Sequence, residues 1–223
     1  MIYLLNEDAG KESFRIKGED FKYLIKVRRH GVGDTLGFRN PHEIERLHIY
    51  RLQEIEARGA FFERVSSEIL EIKAMKSLHI GWCVIDNKSV EKVLASLNEI
   101  GVEKISFVYC DRSQKNFKPD FKRYERILQA SNQQCGRTQM MEFDTYKNIE
   151  TFIENFPDTK VFDFTPKILA CESDFTTVLI GCEGGFSPKE KEFLANQEVF
   201  RLNTPMVLRS ESAALAVASK ILL

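Results

Sequence analysis

Two short stretches hold the residues best suited to chemistry. The first is Gly181-Cys182-Glu183-Gly184-Gly185, which follows the apolar run Thr177-Val178-Leu179-Ile180. The second is Arg209-Ser210-Glu211-Ser212, which follows LNTPMVL and leads into AALAVASKILL. An almost wholly apolar, β-prone run reads as a strand covered on both faces. Ser187-Pro188-Lys189-Glu190 reads as a capping box with proline at the first helical position, so a helix restarts there. Glycines between the two permit positive φ and let a ligand approach bare backbone. In open α/β sheets ligands sit at the carboxyl ends of strands, which is where this loop falls. A tight strand-to-helix turn without a ligand is the competing reading. No Gly-Lys-Ser/Thr follows and no G-x-G-x-x-G is present, which excludes the standard nucleotide-phosphate motifs.

In the second stretch, Ser210 is expected to cap the final helix and Glu211 to occupy its first turn. Arg209 is not explained this way, because a cation beside a helix N-terminus opposes the helix dipole. Such an arginine needs an anionic partner: Glu183, Glu211 or a bound polyanion. The final segment is apolar nearly all round, so it is expected to be buried or packed against a second copy of the chain.

Composition narrows the classes. The 223 residues suffice for one large domain or two small ones, and 43% hydrophobic with 29% charged residues suits a water-soluble protein with a real core. No apolar run nears the roughly 20 residues of a membrane span, and MIYLLNEDAGKESF does not read as a signal peptide. The five cysteines, Cys83, Cys110, Cys135, Cys171 and Cys182, have neither disulfide-framework nor C-x-x-C spacing, and His30, His42, His48 and His79 are scattered. A reduced, cytoplasmic protein without a metal is expected. The net charge of −1 means that any nucleic-acid contact must use local basic clusters. Lys22, Lys26, Arg28 and Arg29 form one. Arg112, Lys115, Lys118, Lys122, Arg123 and Arg126 form another, interleaved with acids as on a solvated helix face.

The positioning elements fall into two halves. Residues 1–70 read as short strands (MIYLL, SFRIKG, DTLGFRN, LHIYRLQEIEA, GAFFERV) around one helical stretch, EDFKYLIKVRRH, and predict a small β-barrel. Residues 75–223 alternate strands (LHIGWCVI, KISFVYC, KVFDF, TTVLIG, EVFRL) with helices, and predict a mostly parallel α/β sheet. Asn87 or Ser89 is expected to cap the helix that Gly101 closes, and Asp120 to stabilise the start of the next.

LIGCEGGFSPKEKEF followed by LNTPMVLRSESAALAV resembles the I-G-P-E-G-G-F … L-G-x-R-I-L-R-x-E-T-A signature of the RsmE family of ribosomal RNA small-subunit methyltransferases. ASNQQCGRTQM, with Gln134 and Arg137 in matching places, resembles the family's A-x-E-Q-S-x-R segment. YCDRSQ resembles its E-R-S strand end, and YLIKVRRHGVGD its V-L-R-x-x-x-G-D. Cys182 stands where the family commonly has proline, Asn203 where it has glycine, Met206 where arginine is common, and Ser131-Asn132 in place of Ala-Glu. The resemblance implies an N-terminal PUA-like barrel and a C-terminal SPOUT domain with a trefoil knot. It also implies a homodimer and S-adenosylmethionine-dependent methylation of uridine N3 in 16S ribosomal RNA, free or in the small subunit. On that reading Ile180, Gly181, Glu183, Gly184, Gly185, Leu202, Asn203, Leu208 and Ser210 bind the cofactor. Arg209 stabilises the uracil anion, and Glu211 or Glu183 takes its proton or serves as a structural anchor. Lys22, Lys26, Arg28, Arg29, Arg112 and Arg137 contact RNA. Two other functions compete: a SPOUT ribose 2′-O methyltransferase of tRNA, and a non-catalytic RNA-binding module with a vestigial cofactor pocket.

Overall fold

The computed structural model describes residues 2–114, 116, 118–170 and 175–223; Lys115 and Cys171 of the sequence reading lie outside them. The chain divides into two compact units, Met1–Lys73 with Asn132–Gln139, and Ala74–Ser131 with Met140–Leu223.

In the first unit the strands are β1 (Leu4–Leu5), β2 (Ser13–Lys17), β3 (Thr35–Asn40), β4 (Glu43–Ile55) and β5 (Gly59–Ile69). They form one mixed sheet in the order β1-β3-β4-β5-β2, with only β1 and β3 parallel. The alternation in β2 turns Phe14 and Ile16 inward. Phe14 meets Tyr50 and Phe38 edge-on, with ring centroids 4.7 and 5.1 Å apart, and stacks on Phe62 at 5.8 Å. Register shifts at Ile49/Tyr50 and Leu52/Glu54 are the bulges that bend the long β4–β5 pair. The helical stretch begins as α1 (Gly18–Phe21) and continues as a π-helical turn over Lys22–Val27, burying Phe21 and Leu24. Residues 132–139 join this unit through Tyr3, whose hydroxyl donates to the Arg137 carbonyl at 2.8 Å.

The second unit is a six-stranded parallel sheet: β6 (His79–Cys83), β7 (Lys104–Val108), β8 (Glu142–Tyr146), β9 (Lys160–Phe162), β10 (Thr177–Ile180) and β11 (Val199–Phe200), ordered β11-β9-β10-β6-β7-β8. Every residue of β6 is buried, as a central parallel strand requires. The helices are α2 (Asn87–Ile100), α3 (Phe121–Cys135), α4 (Ile149–Asn155), α5 (Pro188–Phe193) and α6 (Ser210–Leu222). From β6 the chain moves outward through β7 to β8; from β10 it leaves on the other side toward β11. The neighbours β10 and β6 therefore flank a topological switch point, and a crevice opens at their carboxyl ends.

Several expectations are met at the level of single caps. Gly101 closes α2 at φ 111°, and Asp120 Oδ1 accepts from the Arg123 N–H at 3.0 Å. The capping box is complete: Ser187 Oγ accepts from the Glu190 N–H at 3.2 Å, and Glu190 Oε2 accepts from the Ser187 N–H at 2.7 Å. The N-cap of α2, however, is Asp86 rather than Asn87 or Ser89; its carboxylate accepts from the Ser89 N–H at 3.0 Å. β8 and α4 were absent from the sequence reading.

Candidate functional site

β10 delivers its last residue, Ile180, opposite Trp82 on β6 and Phe162 on β9. The loop leaving it turns through Gly185 at φ 65°, the left-handed region that favours glycine. Gly181 and Gly184 have ordinary φ; a Cβ on Gly181 would meet its neighbours at an ordinary 3.5 Å, and only Gly184 is closely packed. A Cβ on Gly184 would lie 3.3 Å from the Arg112 side chain, whose Nη1 donates to the Gly184 carbonyl at 2.6 Å. Arg112 thus straps the loop.

The second wall begins at α6. Arg209, not Ser210, is its N-cap residue, and no side chain caps the helix. The Ser210 hydroxyl is committed elsewhere: it accepts from Trp82 Nε1–H at 2.8 Å and donates to the Gly181 carbonyl at 2.6 Å. A serine placed to cap a helix instead ties that helix to β6 and to the glycine loop.

Between these walls lies a cleft of about 1230 Å³. The structure brings Ile180, Gly181, Glu183, Gly184, Gly185, Leu202, Leu208, Arg209, Ser210 and Arg112 to its lining. Asn203 and Glu211 are not on the lining. Asn203 is exposed, and Glu211 is buried in the first turn of α6 with Oε2 lacking a hydrogen-bond partner. Lys22, Lys26, Arg28 and Arg29 belong to the first unit and are all exposed, with the Arg28 guanidinium over the Tyr23 ring at 5.7 Å. Arg137 also belongs there but is only 4% exposed, so the surface position expected for an RNA contact is not where the structure puts its side chain.

The sequence reading missed Phe162 at the end of β9, Asp163 and Phe164 just after it, and the cations Lys191 and Arg201. Only the strand order, which sets β9 beside β10, reveals the first three. Lys191 pairs with Asp163 at 2.7 Å, and Arg201 Nη1 donates to the Leu202 carbonyl at 3.0 Å. Arg209 forms no ion pair within 4.0 Å among the described residues, so neither Glu183 nor Glu211 is its partner. Behind the loop, Cys182 Sγ lies 3.6 Å from Cys110 Sγ. Hydrogen bonding with the Cys182 and Cys83 side chains, opposed by burial, holds the Cys110 thiol below its ordinary range. The neighbouring Cys110 sulfur, with burial, pushes Cys182 up. Among the described residues no cluster of His, Cys, Asp and Glu could hold a metal ion, and no helix is long and apolar enough to cross a membrane.

Residues 73–222 match the RNA methyltransferase domain family. The chain is 36% identical over 223 residues to the ribosomal RNA small subunit methyltransferase E of Helicobacter pylori, covering 98% of both chains. It is 24% identical to the enzyme of that name from Buchnera aphidicola, covering 99% of this chain and 91% of the other. The ribosomal RNA small subunit methyltransferase E of Neisseria gonorrhoeae, solved bound to S-adenosyl methionine, superposes with a TM-score of 0.73 at 16% identity, over 98% of this chain and 95% of that one, a likeness of fold. With a parallel sheet switching direction at a glycine-lined cleft, and with relatives matching along its whole length, the chain belongs to the ribosomal RNA small subunit methyltransferase E family.

Proposed function

We propose that this chain transfers the methyl group of S-adenosylmethionine to N3 of a uridine in 16S ribosomal RNA. The cleft at the switch point carries the reading: glycine backbone on one side, residues 202–208 on the other, and at its edge an arginine without an ion pair among the described residues. At about 1230 Å³ it exceeds the roughly 300–1,000 Å³ of a typical small-ligand site, leaving room for a nucleobase beside a cofactor.

The residues present fit such a cofactor. Half-buried Leu202 and Leu208 offer apolar faces for an adenine, and the backbone of Ile180, Gly181, Gly184 and Gly185 offers polar groups at close approach. Bound S-adenosylmethionine supplies an electrophilic methyl on a sulfonium sulfur.

The chain's own task is to make uridine N3 a nucleophile. That nitrogen carries a proton at neutral pH, and the anion left on its removal spreads onto the uracil carbonyls. Arg209, exposed at the cleft edge, supplies the positive charge that stabilises it. Glu183, exposed on the lining, takes the proton, whereas Glu211 lies off the lining. The base must leave its stack to reach this site.

The finer features of the fold belong to the same reading. Residues 1–70 are a PUA-like RNA-binding domain, supported by the mixed sheet with its aromatic core and the exposed Lys22, Lys26, Arg28 and Arg29. Residues 75–223 are a SPOUT domain with a trefoil knot, supported by the return of the C-terminal segment to Gly181 and Trp82. The half-buried Leu215, Ala216 and Leu222 of α6 support a homodimer. A reduced thiol complement suits the cytoplasm.

The test supplies S-adenosylmethionine carrying a labelled methyl group, and small subunits or free 16S RNA from cells lacking this protein. The expected product on nucleoside mass spectrometry is 3-methyluridine. A 2′-O-methylated nucleoside would replace this reading with the ribose chemistry. Absence of cofactor binding in calorimetry would leave an RNA-binding module.

A further inference from the structure

Cys83, Cys110 and Cys182 stand at the carboxyl ends of β6, β7 and β10, three strands adjacent in the sheet. The proposed methyl transfer uses none of these thiols. Cys83 is wholly buried, whereas Cys110 is half-buried and Cys182 lines the cleft. The Cys110 and Cys182 sulfurs are 3.6 Å apart, and a disulfide needs about 2.05 Å, so a bond requires an approach of about 1.5 Å.

We propose that Cys110 and Cys182 are an oxidation site, closed into a disulfide by a peroxide, that reshapes the cofactor cleft. The chemistry around each sulfur divides the roles. Cys110 Sγ lies 3.0 Å from Ser113 Oγ and 3.6 Å from Cys182 Sγ, and hydrogen bonding within this cluster favours the thiolate at Cys110. Its backbone N–H donates to Ser113 Oγ at 3.0 Å, and the next N–H, of Asp111, donates to Glu190 Oε1 at 2.7 Å, so this side is fixed. Cys182 sits among Gly181, Gly184 and Gly185, whose backbone accommodates a shift more readily, so closing the bond displaces this loop and the hydrogen bonds that hold it.

The Cys110 thiolate attacks one peroxide oxygen, the O–O bond breaks, and the departing hydroxide takes a proton to become water. This leaves a sulfenic acid on Cys110. The Cys182 sulfur then attacks the Cys110 sulfur, the S–O bond breaks, and the leaving hydroxide combines with the Cys182 thiol proton as a second water. Two thiols are oxidised and one peroxide is reduced to two waters.

Movement of Cys182 carries its neighbours with it. The Gly181 carbonyl accepts from Ser210 and the Gly184 carbonyl from Arg112, so both ties that shape the wall are disturbed. Trp82, the only tryptophan in the chain, reports the event because its indole N–H donates to Ser210.

The test treats the reduced full-length protein with hydrogen peroxide, maps disulfides by peptide mass spectrometry, records Trp82 emission and titrates S-adenosylmethionine by calorimetry. A Cys110–Cys182 linkage, a shifted emission and at least tenfold weaker cofactor binding, all reversed by dithiothreitol, are expected. Cys110→Ser should keep its emission and affinity through peroxide treatment. No linkage, a linkage to Cys83, or a Cys110–Cys182 linkage that leaves both emission and affinity unchanged would overturn the proposal. Only the affinity measurement rests on the assigned function. Failure of the reduced protein to bind S-adenosylmethionine would count against that function, while the linkage and the emission still decide this one.

Discussion

Arg209 occupies the N-cap of α6 against the helix dipole, a cost of a few tenths to about 1 kcal/mol, and among the described residues no ion pair within 4.0 Å offsets it. If its counter-charge is the uracil anion, Arg209→Ala should slow methylation at least tenfold while melting temperature and cofactor affinity stay nearly constant. A fall in melting temperature without a change in rate would make it a structural residue. Gly184 works differently: a Cβ there presses on the Arg112 side chain at 3.3 Å. Gly184→Val should therefore weaken S-adenosylmethionine binding in calorimetry by displacing Arg112, and adding Arg112→Ala should cost little more. Fully additive losses would mean that the valine blocks the cleft directly. These sites were legible in the sequence because the glycines, Glu183 and Arg209 are set by local motifs. Ser210 was misread because its true partners, Trp82 and Gly181, are remote in sequence and adjacent only in the fold. The burial of Arg137 follows from tertiary packing that no spacing reveals.

At the scale of elements, the buried parallel strands were readable from apolar runs. β8 was not, because its exposed and half-buried pattern lacks the signature of a central strand. His79 at the start of β6 shows what packing then does to a side chain. It lies 4.5 Å from the Phe156 ring and 5.5 Å from Phe152, with Nε2 2.7 Å from Ser106 Oγ. Burial first, and the nearby Lys104 charge second, push its pKa down from 6.5 to about 4. Between those values the unfolded chain binds the proton and the folded one does not. Stability is therefore retained above about pH 6.5 and lost as the pH falls toward 4, by roughly 3 kcal/mol at most. Melting curves across that range should steepen downward for the native chain and flatten for His79→Gln. Equal slopes for both would assign the loss to other groups.

For the whole molecule, the nearly neutral net charge leaves association to surface chemistry. α6 buries Ala213, Ala214, Val217, Ala218 and Ile221 against its own unit but leaves Leu215 and Leu222 half-covered and Leu223 86% exposed. Light scattering at micromolar concentration should give the mass of two chains, and Leu215→Glu should return it toward one. A native chain that stays monomeric would refute the dimer. The strand order also dictates when the cleft comes into being. β10 must find β6 across about a hundred intervening residues, closing a loop at an entropic cost near 4 kcal/mol. The Trp82–Ser210 tie spans 128 positions. Such distant pairings form slowly, so the cleft is the late product of folding and the local β6–β7–β8 layer the early one. Pulsed hydrogen exchange should show protection at Val178–Ile180 lagging behind that at Ile105–Val108. A ribosome must therefore release the chain as far as Ser210 before the site meant to methylate ribosomal RNA can exist.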